Sequence, residues 1–227
     1  MISDLSQKKY IVLTGNYGSG KTEIALNLAL HGAPRRSMTL VDLDIVNPYF
    51  RSGEKEAELK RAGVTVLMPV FAMTTVDIPA LPPEIQSVFE SSSDQVIFDV
   101  GGDDTGAAAL GRYYPSFMKH REQTALALVV NCMRPLTRTA DDILDLAQRI
   151  QQRGRLKIDL ILNNTNLGGN TTPEMIETGE KICLACAQAL QGIPLLNAGN
   201  RAVLDACRLS EPCIPVVRYM KPEWMEM

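Results

Sequence analysis

Short apolar runs recur along the chain, and each is followed by a stretch whose apolar positions return every three or four residues. The runs predict strands at 9–14, 38–43, 64–68, 95–100, 124–131, 157–163 and 193–196. The amphipathic stretches predict helices at 21–31, 51–62, 83–91, 106–119, 138–153, 172–190 and 200–208. The strand runs are rich in Val, Ile and Leu without clean alternation, as in Ala125-Leu126-Ala127-Leu128-Val129-Val130. Runs of that kind suit strands buried on both faces of a parallel sheet. The alternation of strand and helix predicts a doubly wound α/β fold, a mainly parallel sheet of about seven strands with helices on both faces. In such folds ligands bind outside the carboxyl ends of the strands. No repeat, low-complexity tract or linker interrupts the pattern, so residues 1–227 read as a single domain. One long irregular stretch, 69–83, carries Pro79, Pro82 and Pro83 and reads either as a surface connection or as a lid or docking loop.

Composition narrows the class. A net charge of −3 over 227 residues argues against a broad nucleic-acid surface, and the pairs Lys8-Lys9 and Arg35-Arg36 read as solvated surface. No apolar run approaches the roughly 18 to 20 residues that span a bilayer, and no signal-peptide core opens the chain. A cytoplasmic protein without membrane attachment is the expectation. Five cysteines without a dense framework read as reduced thiols.

The most specific chemistry lies at Gly15-Asn16-Tyr17-Gly18-Ser19-Gly20-Lys21-Thr22, which fits the P-loop spacing G-x-x-x-x-G-K-[ST]. Its context is strand before and helix after, so backbone N–H groups and a helix N-terminus converge where a triphosphate can sit. Lys21 is expected to neutralise the β- and γ-phosphates and to serve catalysis, and the Thr22 hydroxyl to bind Mg²⁺. Glu23, the next helical residue, is counted with the loop as nucleotide-binding. A second metal ligand should be an Asp ending an apolar strand, and Gln95-Val96-Ile97-Phe98-Asp99 supplies Asp99. The following Val100–Gly106 segment is glycine-rich and suits a switch that senses a γ-phosphate. It equally suits a turn in which Asp103, Asp104 or Thr105 caps the next helix. The strand 38–43 runs into Asp42-Leu43-Asp44, two acids on one face at a carboxyl end. They can assist the metal and orient a water, or cap the helix near Arg51.

Taken together, Gly15–Thr22, Val41-Asp42-Leu43-Asp44, Phe98-Asp99-Val100-Gly101-Gly102 and Leu160-Ile161-Leu162-Asn163 resemble the MinD/ParA/CobQ-type (SIMIBI class) P-loop family. The resemblance continues through Ile193-Pro194, Ala206 and Glu211-Pro212 and is strongest to bacterial ATP-binding members. It implies that Asp44 positions the hydrolytic water, that Asp42 and Asp99 surround the metal, and that Asn163 binds adenine. MinD and ParA relatives carry a lysine after the first P-loop glycine that reaches a partner subunit's nucleotide. This chain has Asn16 there, which removes that route.

GTP-binding relatives read guanine with N-K-x-D, and the equivalent stretch here is Asn163-Asn164-Thr165-Asn166. An Asn in the last position offers one carbonyl acceptor against two guanine donors, so ATP is expected over GTP. Cys183 and Cys186 form a C-x-x-C inside a predicted helix and read as core, with an iron–sulfur or metal carrier as the rival. Residues 220–227 are too short and too acidic for a membrane helix. Arg51, Arg112 and Arg134 follow strand ends or switch-like segments, as arginine fingers or as surface ion-pairing residues. The pair Tyr49-Phe50 reads as packing or partner docking, and His31 and His120 as surface or packing residues. The leading function is a slow Mg-dependent ATPase that switches conformation for a protein partner or homodimer. The alternatives are a small-molecule kinase or synthetase of the CobQ/dethiobiotin synthetase kind, and an ATP-dependent carrier using Cys183 and Cys186.

Overall fold

In the computed structural model, which describes residues 2–43, 53–68, 83–102 and 104–220, the apolar runs pair into one parallel sheet. Its strands are β1 (Tyr10–Thr14), β2 (Met38–Leu43), β3 (Thr65–Leu67), β4 (Gln95–Val100), β5 (Thr124–Val130), β6 (Leu160–Asn163), β7 (Leu195–Gly199) and β8 (Cys213–Pro215). They lie in the order β3-β2-β4-β1-β5-β6-β7-β8, every neighbouring pair parallel. The helices are α1 (Ile2–Gln7), α2 (Lys21–Gly32), α3 (Gly53–Arg61), α4 (Pro83–Ser87), α5 (Asp104–Arg112), α6 (Tyr114–Lys119), α7 (Ala140–Gly154), α8 (Pro173–Ala189) and α9 (Arg201–Leu204). The expected doubly wound α/β architecture is the one observed.

Both faces of the central strands are buried, and alternation assigns each residue to one of two cores. On one face Tyr10, Val12, Phe98, Leu126 and Leu128 pack with Leu110 of α5, Phe117 of α6 and Ile143 of α7. On the other, Ile11, Leu13, Ile97 and Val129 pack with Ile24 and Leu26 of α2 and Leu59 of α3. After β1 the chain turns toward β2 and β3, returns to β4, and then crosses to β5 on the far side. The crevice of this reversal opens at the carboxyl end of β1, where the glycine loop begins.

Four elements differ from the sequence expectation. An eighth strand, β8, pairs with β7 at the sheet edge (Asn197 opposite Cys213, Ala198 opposite Ile214). Its Pro215 suits an edge, where a missing N–H breaks no ladder. The helix expected at 106–119 is two helices, α5 and α6, because Pro115 in a continuous helix would meet the carbonyl of Gly111; in α6 it sits in the first turn instead. Residues 83–91 form the short α4 and a 3₁₀ turn at Val88–Glu90. The 200–208 helix shrinks to α9, started by Asn200, whose side chain accepts from Ala202 N–H.

Candidate nucleotide-binding site

The loop between β1 and α2 can be traced only by glycine at its ends. Gly15 has φ 144° and Gly20 φ 89°, backbone that side chains rarely adopt. A Cβ at Gly15 would lie 2.2 Å from the Val129 carbonyl oxygen, and one at Gly20 2.3 Å from Asn164 Nδ2. Lys21 opens α2 and is buried, and its Nζ donates to the carbonyls of Gly15 (3.2 Å) and Asn16 (3.1 Å). Ser19 Oγ is buried without a hydrogen-bond partner. The Asn16 side chain accepts from Tyr17 N–H at 2.8 Å and so caps its own loop.

On one side of the loop the three expected metal residues meet. Asp42 and Asp99 stand directly opposite each other in the β2–β4 pairing, both almost fully buried. Thr22 Oγ1 donates to Asp99 Oδ2 at 2.6 Å. Alternation turns both carboxylates toward the face that carries Leu40, Ile97 and α2. The Gly101-Gly102 segment that follows lies against the loop. A Cβ at Gly102 would be 2.6 Å from Tyr17 N, and one at Gly106 2.2 Å from Gly101 O. A cavity of about 330 Å³ opens here, lined by Asn16, Tyr17, Gly102, Leu136 and Arg149. Asp44, Tyr49, Phe50, Arg51, residues 69–82 and Asp103 lie outside the described residues. For Asp104 and Thr105 only the helical backbone of α5 is described.

These features fit a magnesium-bound polyphosphate. The cradle is closed to side chains, Ser19 Oγ is a buried donor without a partner, and a lysine sits at its floor. The hydroxyl and carboxylates beside it are the hard oxygen ligands that magnesium takes.

The other side of the loop opens on a cleft of about 860 Å³ between Gly18, Gly20, Asn164, Asn166, Asn200 and Arg218. Asn163, expected to read adenine, does not face it. Its side chain is fully buried, with Nδ2 donating to Ile176 O (3.1 Å) and Asn197 Oδ1 (2.8 Å). Its Oδ1 accepts from Thr165 N–H (3.2 Å) and Thr165 Oγ1 (2.6 Å). The amide is spent inside the protein because β6 and β7 pair at this level, with Asn163 opposite Asn197. The neighbours that reach the cleft are Asn164, whose Nδ2 donates to Ser19 O at 2.8 Å, and Asn166.

Glu23 lines this cleft as well and is held by the chain's last described residues. Its carboxylate accepts from the backbone N–H groups of Tyr219 and Met220 (3.1 Å for Met220). Burial pushes its pKa up against the lowering effect of those two N–H groups. Asn131, a residue that no motif marks, braces the loop that carries Asn166. Asn131 follows β5, and its side chain accepts from Met133 and Asn166 N–H while donating to Asn166 O. The signal available was a polar residue closing an apolar strand run, shared by Asn131 and Asn163.

The remaining candidates separate. Arg134 Nε donates to Gly18 O at 3.1 Å, while the exposed Arg112 ends α5 beside α7. Cys183 and Cys186 face the core with Cys132. The Cys132 thiol, hydrogen-bonded to Cys183, is held below its ordinary pKa, and that bond together with burial drives Cys183 well above. Burial pushes Cys186 up to about 11. His31 is exposed at the end of α2, and His120 stacks on Phe89. Among the described residues no helix is long and apolar enough to cross a membrane.

The parallel sheet, the loop at the carboxyl end of β1 and the acids on β2 and β4 define a P-loop nucleotide-binding fold. No protein-family model matches the chain, and no curated protein matches it. Solved structures do. The chain is similar to the signal recognition particle 54 kDa protein of Aeropyrum pernix K1 in complex with GDP, at 23% identity over 80% of this chain and TM-score 0.52. It is similar to the cell division protein FtsY of Thermotoga maritima at 20% identity over 83% of this chain, TM-score 0.52. The hydrogenase maturation factor HypB of Archaeoglobus fulgidus matches at 13% identity, over 85% of this chain and 81% of its own, TM-score 0.50. The chain spans 40% of the signal recognition particle protein and 60% of FtsY. The likeness is one of fold, and it does not reach the narrower MinD/ParA/CobQ grouping.

Proposed function

We propose that this protein is a cytoplasmic Mg·ATP-binding switch that hydrolyses ATP slowly and engages a protein partner, or a second copy of itself, according to its nucleotide state. The observation that carries the reading is the Thr22–Asp99 hydrogen bond at 2.6 Å with Asp42 opposite Asp99, directly beneath the glycine loop. Thr22, Asp42 and Asp99 would hold magnesium, which supplies charge neutralisation on the phosphate oxygens. The loop backbone from Gly15 to Thr22 binds the phosphates, and Lys21 exchanges its two carbonyl partners for phosphate oxygens. Asp44 orients the attacking water. Hydrolysis is slow because Asn16 brings no positive charge to the leaving phosphates. The contact between Gly102 and the Tyr17 backbone supports a switch, since a phosphate arriving at the loop displaces or draws in the Gly101–Gly106 segment.

The nucleoside takes the cleft beside Gly18 and Gly20. ATP is preferred because Asn166 offers a single carbonyl acceptor, which already accepts from Gly168 N–H. Calorimetry with ATP and GTP tests this, and equal affinities would refute it. Lys21→Ala should abolish Mg·ATP binding, and Asp44→Ala should spare binding while removing turnover. Wild-type hydrolysis by Asp44→Ala would overturn that assignment. A protein captured from native extract by ATP-loaded Asp44→Ala, and released on exchange for ADP, is the expected partner.

One observation favours a second reading, phosphoryl transfer to a small acceptor. The 330 Å³ cavity adjoins the first residues of the loop, Gly15–Tyr17, and carries Arg149 on its wall. An acceptor enzyme would release ADP only once a metabolite is added; a switch hydrolyses ATP slowly without one.

A further inference from the structure

The described chain ends in a segment that doubles back onto the first turns of α2. Asn27 of α2 grips it at Val217, with Oδ1 accepting from Val217 N–H (2.8 Å) and Nδ2 donating to Val217 O (2.8 Å). One helical turn nearer the loop, Glu23 accepts the N–H groups of Tyr219 and Met220. Val216 N–H donates to Gly199 O at 2.7 Å, tying the segment to the end of β7, and Lys55 of α3 lies 6.0 Å over the Tyr219 ring. Between these anchors Val216, Arg218 and Met220 form one wall of the 860 Å³ cleft. The Arg218 guanidinium lies against Gly168, which belongs to the opposite wall; a Cβ at Gly168 would come 3.3 Å from Arg218 Nη1. A residue two places after the P-loop lysine therefore holds a wall built 196 residues later in sequence.

We infer that Glu23, at the edge of the cleft, is a positioning residue for nucleoside recognition, holding the Val216–Met220 segment as a removable wall. The inference rests on the reading of this cleft as the nucleoside site. Two consequences follow from the geometry. The phosphate cradle, made by Gly15–Thr22 and the carboxylates of β2 and β4, does not include the wall. The nucleoside cleft does. Loss of the clamp should therefore weaken binding of a nucleoside triphosphate while leaving a bare polyphosphate untouched. Damage that travelled through α2 itself would weaken both, because Lys21 and Thr22 open that helix.

The test compares ATP with inorganic tripolyphosphate, each with magnesium, by calorimetry on the full chain. Removing two hydrogen bonds to a carboxylate in Glu23→Ala should raise the ATP Kd about tenfold and the tripolyphosphate Kd less than about twofold. KM for ATP should rise with kcat unchanged, and amide exchange at 216–220 should quicken. Glu23→Gln keeps the length and one acceptor, so its ATP Kd should rise no more than about threefold. Tyr219→Pro removes one of the donated N–H groups from the other side, and the double variant with Glu23→Ala should bind ATP no more weakly than the worse single variant. Equal weakening of ATP and tripolyphosphate, or no change in either, would overturn the role given to Glu23. If the wild-type protein binds tripolyphosphate as tightly as ATP, the cleft holds no nucleoside, and the underlying reading fails before any variant is made.

Discussion

Replacing Asn163 by alanine separates the two roles that its position permits. In the folded protein the side chain makes four hydrogen bonds, two donated to Ile176 O and Asn197 Oδ1 and two accepted from Thr165. The partners lose unequally. Asn197 keeps Glu180 Oε1 (2.8 Å) and Glu211 O (3.3 Å) as acceptors for its own amide, and Thr165 Oγ1 still accepts from Cys132 N–H (3.1 Å). Thr165 N–H loses the acceptor it has, in a residue with no exposed surface. An orphaned buried donor costs about 1–3 kcal/mol and each of the three further lost bonds about 1 kcal/mol, so Asn163→Ala should cost about 4–6 kcal/mol. That is a large part of the roughly 5–15 kcal/mol that holds a domain folded. In a chain of this size it corresponds to a fall in Tm of about 15 °C. Urea unfolding followed by far-UV circular dichroism, without nucleotide, should show the midpoint lowered and the slope unchanged. A variant that unfolds like the wild type yet loses ATP would refute the reasoning, since it would mean that the amide faces a base after all.

Gly20→Ala combines a left-handed backbone with a clash against Asn164 Nδ2 at 2.3 Å, and should cost about 2–4 kcal/mol with loss of nucleotide binding; wild-type stability and affinity would refute the role given to this glycine. Thiol titration at pH 8 should find Cys213 reacting first and Cys207 slowly, with Cys132, Cys183 and Cys186 silent until urea unfolds the chain. The sign follows from burial, because a thiol lifted to about 11, as Cys186 is, carries almost no thiolate at that pH. Fast modification of three thiols in the folded protein would contradict the core assigned to α8.

The P-loop was legible because its chemistry is local. Glycine where no Cβ fits, lysine and threonine at the helix start, and an acid closing an apolar run are each dictated by neighbours a few residues away. Asp42 and Asp99 belong to the same kind: alternation put each on a face, and strand pairing needed only to bring the two faces level. Asn163 shows where that logic stops. A polar residue at a strand's carboxyl end can point into a cleft or across to the next strand, and the spacing of letters is identical in the two cases. Asn197 opposite it decided the matter.

The sequence by itself determined the alternating α/β fold, the phosphate loop and its acidic companions, for these follow from apolar periodicity and from steric limits within a few residues. Tertiary structure alone decided three further things. It set β8 against β7, turned Asn163 inward, and made Val216–Met220, clamped to Glu23, a wall of the cleft beside the glycine loop. Each of these depends on backbone N–H and carbonyl groups, which any sequence carries, meeting one another or a distant side-chain amide or carboxylate. Which of those universal donors meets which acceptor is set by the path of the whole chain, and no local pattern records it.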